Sequence, residues 1–483
     1  MIRIITLREI KDHVLSLRFS FSFLLCLLLM VIGSVVLTEE QGQRREALEP
    51  FLDTDQYRQV VQQASSQRLM NGGLFLTRPL PKFRMLVYGL QDLSFIAQIK
   101  GANQVLYLRQ PLVGNPVAQL FSNFDVVFIV GALFSLVAIT FTYDAVAGEN
   151  EDGTLRLVLS HSVSRAQLLL GKWLGAFVSL VAILAPCSLA TVLVAASHPL
   201  VEVSSADGLT LLLIGGGCLL YVGVFLSLGL LVSCQCRETR TALLGLLAIW
   251  ALLVWVVPSF GPYLAASLVD GDPPLMVEAN INQTRAEAER QSLAEVSAFI
   301  QEKGWGDRES AHWNLEWGAW SDAIPRLWNE LSDEADREAL RTFSTRIMRD
   351  QLKQMEEQAA QLRNAYLQSR QREVKAGQVL ACISPLAPFA FLLTDLSQTG
   401  LRSEFHFRGG VERFKRELVG YIYREMGNKS IWDQVDPEGF PYFVYASRTT
   451  RIGAETFIYF LLLGVYNVIF FMGAYLVFLR YEV

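Results

Sequence analysis

Residues Gly148–Lys172 read GENEDGTLRLVLSHSVSRAQLLLGK, a short charged segment wedged between two long apolar runs. That position places it at a membrane face, open to a soluble partner. Glu149, Glu151 and Asp152 lead into Gly153 and Thr154, and Leu155, Val158 and Leu159 follow at i, i+3 and i+4. This spacing predicts a helix with one apolar face, and acids ahead of it suit the positive end of a helix dipole. Ser164 with Gln167 three residues on is a capping-box start for the next helix, which runs directly into an apolar stretch. Short helix, break and capped transmembrane helix read as a lever rather than an ordinary loop.

Working outward, the chain has the composition of a membrane protein. Its 483 residues are 52% hydrophobic and only 18% charged, with a net charge of −5, which gives no basic surface for nucleic acid. Six apolar runs approach the roughly 20 residues that a crossing needs. They are 19–37, 124–143, 173–197, 209–233, 241–257 and 456–479, the fifth short enough to borrow Pro258 onward. The first is read as a retained anchor, because TEEQGQRRE after it offers no small-residue cleavage site. The six cysteines lie in or beside apolar runs, so no disulfide framework is expected; Cys234 and Cys236 have no second ligand pair near in sequence.

Short-loop charge sets the orientation. Arg3, Arg8, Lys11 and Arg18 precede the first run, Arg156, Arg165 and Lys172 follow the second, and Arg237 and Arg240 follow the fourth, whereas His198–Gly208 holds no Lys or Arg. The positive-inside rule then puts both termini in the cytosol. Within the cytosolic segment 1–18, residues 6–18 are expected to form a helix along the inner face, starting from a capping box at Thr6 and Glu9, and 144–172 the cytosolic loop. Two extracytoplasmic regions remain, 38–123 and 258–455, both expected to be mainly helical. In the second, Ser332 caps a segment in which Leu340, Phe343, Ile347, Leu352, Met355, Ala359, Leu362 and Tyr366 mark a long amphipathic helix. Its expected hairpin partner is the helix around Val277–Lys303. Trp313, Trp317 and Trp320 share a helical face that serves that domain's core, a lipid headgroup layer or a substrate. Ser384–Leu393, SPLAPFAFLL, is too short to span and reads as interfacial or re-entrant.

Absent motifs narrow the function. No phosphate-cradling glycines precede Gly171-Lys172, so the chain is not expected to bind ATP itself. The five histidines lack metal spacing, no HExxH or G-x-S-x-G occurs, and neither catalysis nor a metal is expected of this polypeptide. The apolar runs carry almost no ionisable groups at mid-membrane, which argues against an ion-coupled carrier. Glycines 215–217 and Gly229 allow close helix contact, either for static packing or for a sliding surface.

Glu149–Lys172 resembles the cytoplasmic-loop signature of type-2 ABC transporter permeases. The matching positions are Glu151, Gly153-Thr154-Leu155, Leu157-Val158-Leu159-Ser160, Val163-Ser164-Arg165 and Leu170-Gly171-Lys172; Ser162 stands where that family often has proline. The outer insertions are similar to those of a bacterial subgroup that includes gliding-motility and nitrous-oxide reductase maturation permeases, with SPLAPF and Thr399-Gly400 as markers. The resemblance implies an all-α polytopic fold with six transmembrane helices in a bacterial inner membrane. It also implies a cytosolic ABC ATPase dimer that holds ATP and Mg, and a second copy of the chain or a related permease. Membrane lipid and an extracytoplasmic protein are further partners. Glu149, Glu151, Gly153, Thr154, Leu155, Arg156, Val158, Leu159, Ser160 and Arg165 would form the ATPase-docking segment, with Leu155, Val158 and Leu159 as its buried contact. Movement of substrate, expected to be export, or force transmission to an outer partner would follow.

Overall fold

The computed structural model describes residues 2–52, 74–90, 93–100, 104–108, 124–160, 164–197, 207–269, 273–305, 327–428, 434, 436, 439–445 and 453–480. The three tryptophans at 313, 317 and 320 and residues 161–163 lie outside them. The chain is a largely α-helical, multi-span membrane protein, and five described helices are long and apolar enough to cross a bilayer. These are α2 (Leu17–Leu52), α6 (Arg165–Ala196), α7 (Asp207–Gln235), α8 (Thr239–Leu268) and α13 (Ala454–Leu479). The expected second run is occupied by a shorter apolar helix, α3 (Val126–Thr140). It is anchored on both sides, by Asp125 just before it, which accepts from the Tyr88 amide, and by Asp144 just after it, which accepts from Arg18.

Helix α1 (Ile2–Val14) begins earlier than expected. The Thr6 hydroxyl donates back to the Ile2 carbonyl at 3.0 Å, a bond available to threonine inside a helix, so Thr6 caps nothing. Helix α2 has 36 residues, about 54 Å at 1.5 Å per residue, against a hydrocarbon core of about 30 Å. Its last turns therefore stand clear of the membrane. Helix α7 is the central column: every residue from Tyr221 to Leu230 is buried, as an all-round apolar helix must be.

Helices α3 and α8 each contain a π turn, Ile129–Phe134 and Leu252–Val256. A π turn leaves carbonyls without their usual partners, and neighbours supply hydroxyls. Tyr221 and Ser135 both donate to the Gly131 carbonyl, at 2.8 and 2.6 Å, and Ser384 donates to that of Leu253. The SPLAPF stretch forms α11 (Leu386–Leu396), a half-length helix whose Phe389, Leu392 and Leu393 are fully buried. Phe389 stacks on Tyr221 with centroids 4.3 Å apart. Of the glycines in α7, Gly217 faces Leu392 and Gly229 faces Thr142, whereas 215 and 216 face open space.

The part of the chain built from residues outside the long apolar helices differs from an all-α expectation. Residues 74–108 carry a three-stranded antiparallel sheet, β1 (Leu74–Thr77), β2 (Ile96–Lys100) and β3 (Gln104–Leu108), in that order. Along β1 burial alternates, Leu74 and Leu76 buried and Phe75 between them exposed, as successive side chains of a strand point to opposite faces. Leu74, Leu76, Ala97 and Ile99 pack into one core with Phe407, Val411, Phe414 and Leu418 of α12 (Leu401–Asn428). The same core takes Val296 from α9 (Pro274–Glu302) and Leu340, Phe343 and Ile347 from α10 (Glu334–Ala381). Phe299 of α9 stacks on Phe343 of α10 at 3.7 Å. The two sequence-distant outer regions therefore share one hydrophobic core. Arg78 fastens them, donating to Glu404 at 3.0 Å with both side chains buried. The N-cap of α10 is Asp333, not Ser332; its carboxylate accepts from Ala335 at 3.2 Å.

Candidate coupling site

At the end of the bundle that carries α1 and the C-terminal turn of α13, the segment after α3 folds into two short helices. They are α4 (Ala147–Glu151) and α5 (Thr154–Ser160). Gly153 separates them at φ +72°, a left-handed backbone that glycine adopts without steric cost. The capping box at Ser164 and Gln167 is formed in full and starts α6.

The segment is tied to every neighbouring membrane helix. Arg18 at the start of α2 donates to the Thr140 carbonyl at 3.1 Å and pairs with Asp144 at 2.8 Å. The Ser233 hydroxyl of α7 accepts from the amides of Val146 and Ala147, both at 3.0 Å. Glu151 accepts from the amide and hydroxyl of Thr239 at 3.0 and 2.7 Å, so it caps α8 from outside. Those bonds hold its carboxyl below the usual range. Arg165 donates to the carbonyls of Phe478 and Leu479 at 2.8 and 2.5 Å, where cations suit a helix C-terminus. Lys172 of α6, 4% exposed, pairs with Glu149 at 2.8 Å and with Glu9 of α1 at 2.9 Å. Helix α1 seats on α6 at Gly171 and Gly175, a small-residue pair at i, i+4 of the kind that lets helices approach closely. A Cβ at Gly175 would lie 2.4 Å from that of Glu9.

Residues 3–483 match the family described as ABC-2 family transporter protein. The chain belongs to that family. It is similar to the probable ABC transporter permease protein NosY of Pseudomonas aeruginosa, 36% identical over 123 residues, 25% of this chain and 44% of that protein. A protein of the same name from Stutzerimonas stutzeri is 49% identical over 43 residues, 9% of this chain and 16% of that protein. The chain thus spans less than half the length of either relative.

Within this family member, the short helix α5 presents a different face from the one its apolar pattern suggests. Leu155 is 2% exposed and packs inside the chain against Leu168, Leu169, Leu230 and Phe478, with Val158 and Leu159 partly buried around the same cluster. The apolar stripe is real, but α6, α7 and α13 cover it. Glu151, Gly153, Thr154, Arg156 and Ser160 are exposed, Glu149 and Arg165 half-buried. Leu157, which the stripe leaves out, is 65% exposed. Sequence reasoning missed Leu157, Lys172, Glu9, Ser233 and Thr239 as members of this site. The pairing of Gly171 with Gly175, four residues apart, was the available signal for the seat of α1.

Proposed function

We propose that this chain is the membrane-spanning permease subunit of an ABC transporter in a bacterial inner membrane, with both termini cytosolic. Helix α5 docks on a separate ATPase that holds ATP and Mg, and two permease chains enclose the pathway. The observation that carries this reading is the wiring of one short surface segment to α1, α2, α6, α7, α8 and α13. A push on α5 is delivered at once to most of the bundle. Docking falls to the exposed side of α5, with Leu157 as the apolar contact and Arg156, Ser160 and Glu151 at the polar rim; Leu155 keeps α5 on its own chain. Family membership supports the ATPase partner, and the similarity to NosY, a probable ABC transporter permease protein, supports the subunit assignment. The large outer unit favours a second reading, in which the same motion is passed to an extracytoplasmic protein and nothing crosses.

The test is co-expression of the permease with candidate ABC ATPases of the same organism. Leu157→Asp with Arg156→Glu is expected to abolish co-purification and ATPase stimulation while leaving the melting temperature of the permease unchanged. Leu155→Asp is expected to lower that temperature. Undiminished co-purification and stimulation with the first variant would sink the docking face.

A further inference from the structure

Both π turns of the membrane region face one cavity. It holds about 370 Å3 between α3, α8, α11 and the loop at Tyr88. Phe128 and Ala132 line it from α3, Val254 and Trp255 from α8, Leu386 and Ala390 from α11. Ala132 belongs to the first π turn, and Val254 and Trp255 to the second. Such turns are rare and frequently mark functional sites. Two on unrelated helices, converging on one cavity, point to an occupant. The volume falls within the rough range of 300–1,000 Å3 that small-molecule pockets show.

The walls define the occupant's chemistry. At one end stand Tyr88, Asp125 and Thr394, and all three are already bonded, the Tyr88 hydroxyl to Glu40 at 3.2 Å. The Asp125 carboxylate accepts from Phe128 at 2.9 Å and from the Tyr88 amide at 3.1 Å; the Thr394 hydroxyl donates to the Ala390 carbonyl at 2.8 Å. A polar ligand buried here would leave water without equivalent partners. The buried part of the occupant is therefore hydrocarbon. The mouth lies at Trp255, which is 52% exposed and meets Phe128 edge-on at 6.5 Å, on a helix apolar enough to cross a bilayer. Material arriving there is bilayer hydrocarbon. The geometry points to a binding site for a single lipid acyl chain, entering from the outer half of the membrane beside Trp255 and ending among Ala132, Leu386 and Ala390. This site is independent of ATPase docking and stands whether or not that reading does.

The test uses the full chain in phosphatidylcholine nanodiscs doped with phosphatidylcholine carrying a diazirine near the end of one acyl chain. After irradiation, cross-linked peptides are mapped by mass spectrometry. Label is expected on the peptides holding Ala132 and on those holding Leu386–Ala390, as well as on the lipid-facing control Leu461, which is 59% exposed. Ala390→Phe fills the cavity and is expected to abolish the label at Ala132 while keeping it at Leu461. Where Ala390→Phe does not fold, Ala132→Leu serves the same purpose, read at Leu386. Labelling confined to outward-facing positions such as Leu461 in the wild-type chain overturns the site. So does cavity labelling that survives filling.

Discussion

Lys172 is the residue on which this end of the bundle turns. Its ammonium has left water for two carboxylates, Glu9 and Glu149, brought by two different elements. A buried ion pair adds little over an apolar substitute, yet removing one partner strands the other, at a cost of about 3–5 kcal/mol. Lys172→Met is thus expected to lower the melting temperature sharply, and Glu9→Gln with Glu149→Gln in that background to restore much of it. An unshifted melt for Lys172→Met would show that the cluster carries no structural load. His13 sits beside it, stacked on Phe141 at 4.8 Å and 3.8 Å from Glu9. Burial is the larger influence and lowers its pKa; Glu9 and Asp144 oppose that, while Lys172 and Arg18 add to it. The unfolded chain then binds a proton more readily than the folded one. Stability is lost as pH falls below about 6.5, down through the depressed folded value. His13→Phe keeps the stack and is expected to flatten that acid-side decline in melting temperature. Identical slopes for both chains would refute the assignment.

At the scale of elements, α1 matters because of where it sits. It lies in the Gly171 and Gly175 groove, and a Cβ at Gly171 would come within 2.9 Å of two Ile5 side-chain atoms. Gly175→Leu is expected to lift α1, with overpacking of about 1–3 kcal/mol, seen as faster amide hydrogen exchange across Ile2–Val14. Gly216→Leu, which faces open space, is the matched control and is expected to change nothing; equal exchange in both variants would remove the groove from the argument. Much of this level is legible in the sequence. Long apolar runs, the Ser164 and Gln167 cap and the amphipathic repeat at Leu340–Ile347 are all local patterns. What escapes is what covers a face. The stripe at Leu155, Val158 and Leu159 announces burial but not whether α6 or a partner provides it. The three strands escape for a related reason: four- or five-residue runs such as LFLT and IAQIK carry too little period to outweigh helical surroundings, and long-range pairing decides them. Leu157 was legible only by subtraction, once the stripe had been assigned inward.

At the scale of the whole molecule, one helix joins membrane to outer core. Helix α10 has 48 residues, about 72 Å of rigid rod, with Leu340, Phe343 and Ile347 set in the outer core at its start. Its other end is gripped by the spans. Gly261 of α8 admits the Ala381 backbone, Ser384 donates to the Leu253 carbonyl in the π turn, and Tyr466 of α13 donates to the Cys382 carbonyl. Helix α8 is thus bonded at its start to Glu151 of the segment after α3 and, at its π turn, to Ser384 just beyond the end of α10. Removing the Ser384 and Tyr466 hydroxyls deprives the Leu253 and Cys382 carbonyls of a donor and the Leu386 amide of an acceptor, costing about 1–3 kcal/mol each, while both side chains keep their apolar atoms. Ser384→Ala with Tyr466→Phe is expected to broaden the spin-label distance distribution between Glu357 on α10 and Leu268 on α8, both solvent-accessible, while far-ultraviolet dichroism stays as in the wild type. A distribution as narrow as the parent's would mean that apolar packing at Gly261 holds the rod by itself, and that these hydroxyls serve only their own carbonyls.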